Sequence, residues 1–342
     1  MNNYPAFDTF APTILKVYRR DKEAFWSAVM APFLANDFSL FAWLKQIRVG
    51  LGLLVAFRGM EKDARQVLKD FSAGYGVDVS DWKSNRFQYF KDAYPVFAFL
   101  AVWMDEMDLH ELVEQFGEIL RAGVFAVAGY GILDENVDSN APSPVEMLVA
   151  QALIAEYEKR ALDVFGVTSV NLAILHRMRS LFLTAEVHEK SARWQTSPYR
   201  LDAPQQLGAK GANSVTPFIL SLERLGKASL IDDYWEVFLL FGAAIQMIDD
   251  WQDLEKDLAS GHYSYVTLGF EHLLPAADPA QTAQHLREDA VHVRQTYAVS
   301  KDMIARSRLL LDRLEDRFLV RLVDITELRL DSYFRRELKL TD

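Results

Sequence analysis

Apolar residues recur along this chain every three or four positions, the period of a helix. Leu112, Phe116, Ile119 and Leu120 form one stripe, with Glu111, Glu114 and Glu118 on other faces. Leu148, Ala152 and Ala155 continue the pattern through residues 144–165. There Ser143-Pro144 reads as an N-cap followed by proline at the first helical position. Apolar runs at 49–57, 95–104, 123–133 and 237–248 read as helices of the core. Further helices are predicted over 170–194, 205–225, 230–256, 282–299 and 301–334. No segment alternates with the composition of a strand. Breaks at 74–76, 138–144, 196–204 and 274–279 are rich in Gly, Pro, Ser and Asn, and too short for flexible interdomain linkers. The expectation is an all-α protein, with residues 1–342 forming one large helical domain.

Composition narrows the function. Half of the 342 residues are hydrophobic, ample for a large core. A formal charge of −11 argues against nucleic acid as a partner, because phosphate backbones recruit basic surfaces. Phosphorylated ligands stay open, since a metal ion can neutralise an acidic site locally. The chain has no cysteine, which removes disulfides, zinc–thiolate sites and thiol nucleophiles together. No basic segment leads into an apolar one at the N-terminus, as a signal peptide would require. The apolar runs fall short of the about 20 residues of a membrane span. These features point to a cytoplasmic protein with no integral membrane segment.

Two acidic clusters interrupt this apolar pattern. In Ile245-Gln-Met-Ile-Asp-Asp-Trp-Gln-Asp-Leu-Glu-Lys-Asp257, Asp249, Asp253 and Asp257 recur at i, i+4 and i+8, with Asp250 three residues before Asp253. Helical geometry puts such carboxylates on one side, roughly 6 Å apart. Like charges on a core helix repel and desolvate one another, so a compensating positive group is expected. Hard oxygen donors without cysteine or histidine suit Mg²⁺. Residues 123–133 lead into a second such end, Asp134-Glu-Asn-Val-Asp138, with Asp134 and Asp138 one turn apart and Glu135 between them. One acidic helix end alone is commonly a solvated face or a cap. Two of them, more than a hundred residues apart and each ending an apolar helix, point to a shared task. Acidic patches that share Mg²⁺ ions suit a diphosphate, whose departing charge the metal stabilises. If the diphosphate leaves an allylic carbon, the resulting carbocation needs a dry, aromatic-lined pocket. The 22 Phe, 13 Tyr and 7 Trp supply candidates, among them Phe97, Phe99, Trp103 and Phe125.

Residues 245–268 resemble the second aspartate-rich motif of the class I isoprenoid synthase superfamily, which unites trans-prenyltransferases and terpene cyclases. The matching positions are Gln246, Asp249, Asp250, Asp253 and Asp257, followed by Gly261-His262 and a short polar stretch. Asp134-Glu-Asn-Val-Asp138 is similar to the first motif of that family, with Glu in its second place. Lys210 lies where the family carries a lysine that contacts the diphosphate. The resemblance covers about residues 123–268. It implies a helical bundle with a central cavity, several Mg²⁺ ions with Mn²⁺ as a substitute, and a homodimer. Asp134, Asp138, Asp249 and Asp253 would be catalytic, and with Glu135, Asp250 and Asp257 they would form the metal set. Lys210, Arg200 and Arg335 would bind the diphosphate, with Arg336 and Tyr333 beside Arg335.

The departures shape the expected activity. Chain-elongating members carry arginines after the first motif, where this chain has Ser-Asn-Ala-Pro-Ser-Pro, and His262 replaces a lysine after Gly261. A single-substrate reaction fits better. The chain would be a terpene synthase, a carbon–oxygen lyase that ionises a prenyl diphosphate of farnesyl to geranylfarnesyl length and cyclises or rearranges the cation. Head-to-head or chain-elongating prenyl transfer, and a catalytically degenerate helical binding protein, stay open. A di-iron carboxylate bundle needs paired Glu-x-x-His motifs, and the chain has none. A His-Asp metal phosphohydrolase would need adjacent His-Asp, which is also missing.

Overall fold

The computed structural model describes residues 4–30, 40–76, 88–138, 142–191, 203–261, 264–268 and 278–340. Among them are thirteen α-helices and no strand, so the all-α expectation holds. The chain divides into two compact units. Met1–Leu175 with Thr216–Ala228 form the first, and His176–Val215 with Ser229–Asp342 the second.

The first unit contains α1 (Pro5–Arg20), α2 (Lys22–Met30), α3 (Leu40–Gly74), α4 (Gln88–Glu106), α5 (His110–Glu114), α6 (Phe116–Asp138) and α7 (Pro144–Phe165). It also holds the start of α8 (Ser169–Ser191) and most of α9 (Ala212–Arg224). α6 lies along α7, and α1 packs against α3, α4 and α6. On α1 the buried stripe is Phe7, Phe10, Ala11, Ile14, Leu15 and Tyr18, the 3.6-residue spacing of one face. The residue before this helix, Tyr4, makes no side-chain cap. Asp63 of α3 does that work, its Oδ2 accepting from the backbone N–H of Ala6 at 2.9 Å and of Phe7 at 3.1 Å. α7 is capped locally, as the sequence predicts, with Ser143 Oγ accepting from Glu146 N.

α6 is longer than its apolar run suggests. Residues 116–137 are long and apolar enough to cross a membrane, yet most of that stretch is buried inside the protein. That burial is what a core helix shows. Phe97, Phe99, Trp103 and Phe125 are packed in the core of this unit. Phe99 stacks on Trp26 at 5.3 Å, Trp103 meets Phe218 at 5.3 Å, and Phe125 meets Phe71 edge-on at 5.1 Å.

The second unit is built around α10 (Ile231–Ser260). Packed on it are α11 (Pro279–Glu288), α12 (Ala290–Arg313), α13 (Arg317–Arg336) and the 3-10 helices Pro204–Gly211 and Tyr265–Thr267. Trp235, Leu240, Ala243, Met247, Trp251 and Leu254 are among the fully buried residues of α10. Gly261 ends the helix with φ 75°, a left-handed conformation that costs glycine nothing.

Three boundaries differ from the sequence reading. Residues 282–299 are not one helix, because Asp289 ends α11 and caps α12 by accepting from Val291 N and His292 N. Residues 205–225 do not form one α-helix, because Pro204–Gly211 coil as a 3-10 helix before α9. The predicted break near residue 300 is also missing, and α12 runs through it. Ser300 Oγ donates to Thr296 O, which is compatible with continuing the helix. The chain reverses later, at Glu315 with φ 56°, and Asp316 caps α13 by accepting from Leu319 N at 3.0 Å. α12 and α13 are joined by charge. Lys301 pairs with Glu327 and Asp331, and Arg308 with Asp324 and Glu327. Burial pushes the Glu327 carboxyl up, but hydrogen bonds from Lys301 and Arg308 outweigh it and hold the group below its usual range.

Candidate functional site

The last three turns of α10 carry the second acidic cluster. Fully buried Met247, Ile248, Trp251 and Leu254 fix the rotation of the helix about its axis. That rotation gives the four aspartates different surroundings. Asp249 is exposed, Asp253 and Asp257 are half-buried, and Asp250 is 6% exposed. Gln246, one turn earlier, donates through Nε2 to Asp249 Oδ2 at 3.2 Å and to Asp250 Oδ1 at 3.1 Å. Asp250 Oδ2 accepts from the backbone N–H of Tyr265 at 3.3 Å. Asp253 forms a solvent-facing pair with Lys256 at 3.3 Å.

The Asp249 carboxyl is held above its ordinary value, first by desolvation and then by the negative charge of Asp253. Its side chain reaches solvent, yet the surrounding protein still desolvates it. The hydrogen bond from Gln246 opposes the shift, as do the charges of Lys210 and Arg329. Lys210, half-buried, is in the last turn of the 3-10 helix Pro204–Gly211. Gly208 lets that helix approach closely: a Cβ there would stand 2.0 Å from Leu239 O and 2.9 Å from Ala243 N of α10. Arg329 reaches the site from α13. Burial lowers its guanidinium pKa, and the Asp249 charge raises it. Three elements of one unit thus bring an acid and two cations within electrostatic range.

The donor set fits Mg²⁺ chemically. That ion takes one or two protein carboxylates and completes its octahedron with waters and phosphate oxygens. Asp249 and Asp253, coupled one turn apart, offer such a pair, and the repulsion between them is what a cation would relieve. Among the described residues, no group of three or more His, Asp or Glu side chains is placed to hold a metal ion together.

In the same unit, a cavity of about 260 Å³ is lined by Ser180, Leu181, Thr184 and Ala185 of α8, by Gln205, Gln206 and Ala209 of the 3-10 helix, and by Leu239 of α10. Its walls are predominantly apolar. It is smaller than the roughly 300–1,000 Å³ typical of ligand pockets. Gln205 Oε1 is buried and finds no hydrogen-bond partner among the described residues, an acceptor that a water or a ligand hydroxyl would satisfy.

The first acidic cluster closes α6 in the other unit. Asp134 and Glu135 are half-buried, and Asp138 is the last residue of the helix, its side chain outside the described residues. Between them Asn136 is buried and has a structural task. Its Nδ2 donates to Ile132 O at 3.0 Å and to Glu146 Oε2 at 3.1 Å, while Oδ1 accepts from Ser143 N at 2.8 Å. Asn136 so ties the end of α6 to the start of α7.

Arg200 and His262 lie outside the described residues. Arg335 and Arg336 are exposed at the end of α13, and the Arg335 charge is felt by Tyr297. Burial pushes the Tyr333 hydroxyl up to about 12. Arg329 is not among the cations expected from the sequence, which were Lys210, Arg200, Arg335 and Arg336. The available signal was helical spacing, since Arg329 stands one turn before Tyr333. Comparison with protein-family models, curated proteins and solved structures finds no match for this chain.

Proposed function

We propose that this chain is a Mg²⁺-dependent class I terpene synthase with the helical fold of that superfamily. It would ionise a linear prenyl diphosphate, cyclise or rearrange the carbocation, and release diphosphate. One observation carries the reading: in the second unit, Asp249 lies one turn from Asp253, whose charge it feels, and within electrostatic range of Lys210 and Arg329. Adjacent carboxylates whose repulsion a cation would relieve, with basic side chains nearby, suit a metal–diphosphate.

In this scheme Asp249 and Asp253 would hold the metal from α10, with Asp257 beyond them. Mg²⁺, when bound, supplies the positive charge that offsets the departing diphosphate. Lys210 and Arg329 bind diphosphate oxygens, Arg329 more strongly for being partly desolvated, and Arg200 and Arg335 add charge. The apolar cavity beside the 3-10 helix accommodates part of a prenyl chain. The stretch Ser-Asn-Ala-Pro-Ser-Pro after Asp138 offers no cation for a second diphosphate, which favours one substrate over chain elongation.

The test is purified protein with Mg²⁺ and geranyl, farnesyl, geranylgeranyl or geranylfarnesyl diphosphate, with and without isopentenyl diphosphate, products read by mass spectrometry. The expected result is a hydrocarbon or terpene alcohol from one substrate alone. Asp134→Ala and Asp249→Ala should each lower turnover by at least about a thousandfold. Longer diphosphates formed only with isopentenyl diphosphate would make the chain a prenyltransferase. No turnover of any substrate would leave a binding protein.

A further inference from the structure

The four aspartates of α10 differ in what they already hold. Asp250 is buried, and each of its oxygens accepts a hydrogen bond from a different element: Oδ1 from Gln246 Nε2 of the same helix, Oδ2 from the backbone N–H of Tyr265. Tyr265 opens the 3-10 turn Tyr265–Thr267, which follows the end of α10. Residues 264–267 are all buried. The turn is closed internally by Thr267, whose Oγ1 and N–H donate to Ser264 O at 2.8 and 3.2 Å. A second fastening comes from α12, where the His292 ring nitrogen Nε2 lies 2.6 Å from Val266 O. With that nitrogen protonated, neutral His292 donates to the carbonyl. His292 is itself fixed, its backbone N–H held by Asp289 at 3.1 Å and its ring 5.6 Å from Trp251, the residue after Asp250.

We propose that Asp250 is a positioning residue: with His292 it latches the Ser264–Leu268 turn onto α10, and Asp249 and Asp253 are the acids of this helix that meet the metal. The assignment rests on the function proposed above. A buried carboxylate is tolerable only when its oxygens are hydrogen-bonded, and those of Asp250 are committed to scaffold groups. Swinging Asp250 out to a cation would strip Tyr265 of an acceptor and loosen the turn. Held in place, the latch ties the C-terminal end of α10 to α12 and fixes the height from which Asp253 and Asp257 project.

The test compares Asp250→Asn, Asp250→Ala, His292→Ala and Asp249→Asn in the full chain, each checked for folding by circular dichroism. Two readouts need no turnover: Mn²⁺ binding by electron paramagnetic resonance, and hydrogen exchange at the amides of residues 264–268. Asparagine keeps an oxygen for Tyr265 N–H and loses the charge, so Asp250→Asn should bind Mn²⁺ within about threefold of the parent protein. Asp249→Asn should lose at least about tenfold. Asp250→Ala and His292→Ala should both speed exchange across the turn, and Asp250→Asn should not. Loss of Mn²⁺ affinity in Asp250→Asn as large as in Asp249→Asn would make Asp250 a ligand and overturn the proposal. Unchanged exchange in both alanine variants would remove the latch. Should Asp250→Ala fail to fold, His292→Ala and Asp250→Asn still decide. Absence of Mn²⁺ binding in the parent protein would defeat the proposed function and the metal half of this inference, while the exchange data would still decide whether the latch exists.

Discussion

Asp249 and Asp250 are neighbours in the chain, yet one faces solvent and the other is buried, because successive residues on a helix point about 100° apart. The exposed one carries the strain. Its raised pKa means that ionised Asp249 weakens the folded state: the cost appears as pH rises from the ordinary carboxylate value through the folded one, and it is present in full above that. Asp249→Asn should therefore melt at or above the parent temperature at neutral pH without divalent ions. Added Mg²⁺ should raise the melting temperature of the parent protein and leave the variant unmoved. Thermal scans with and without MgCl₂ check this, and a variant that melts lower in both would contradict it. His292 has the opposite sign. Burial holds its imidazole below the ordinary 6.5, against the pull of Val266 O and Asp289. The unfolded chain then binds a proton that the folded one refuses, so stability is full above that value and falls as pH drops from it toward the folded pKa. His292→Gln keeps a donor for Val266 O and deletes this titration. Urea unfolding between about pH 7 and pH 5 should show a shallower decline in the variant than in the parent, and equal slopes would refute the assignment.

The 3-10 helix Pro204–Gly211 is the element whose placement governs Lys210. Its backbone meets that of α10 at Gly208, with Gly242 on the facing side, and no side chain larger than hydrogen fits the contact. Gly208→Ala should cost at least about 2 kcal/mol, read by denaturant titration, because the obstacles are backbone atoms of a buried helix and cannot rotate aside. In the proposed enzyme the same variant should raise KM for the prenyl diphosphate by moving Lys210. Native stability in Gly208→Ala would mean that the contact relaxes freely. The helices themselves were largely legible from apolar spacing. The join between α12 and α13 was not. Ser300 resembles a break in the pattern, yet buried Ser300 bonds back into its own helix, whereas the real reversal uses Glu315 and the cap Asp316, which carry no apolar signal. The cap on α1 was equally hidden, since Asp63 is more than fifty residues away.

Across the whole molecule, charge and class were open to reading, and arrangement was not. A net charge of −11 predicts that the chain will not bind duplex or single-stranded nucleic acid at physiological salt, and retention of either in a filter-binding assay would contradict this. The division into two compact units left no mark in composition, because the chain crosses between them inside α8, inside α9 and after Ala228 rather than at a linker. By itself the sequence determined the helical class, most helix positions and the two acidic clusters, since these follow from local periodicity and side-chain chemistry. Only the tertiary structure decided which aspartate faces solvent, that Arg329 joins Lys210 beside Asp249, and that Asp250 and His292 hold one turn between them. Those outcomes depend on how far each helix rotates to bury its apolar face, and that rotation is set by partners tens of residues away.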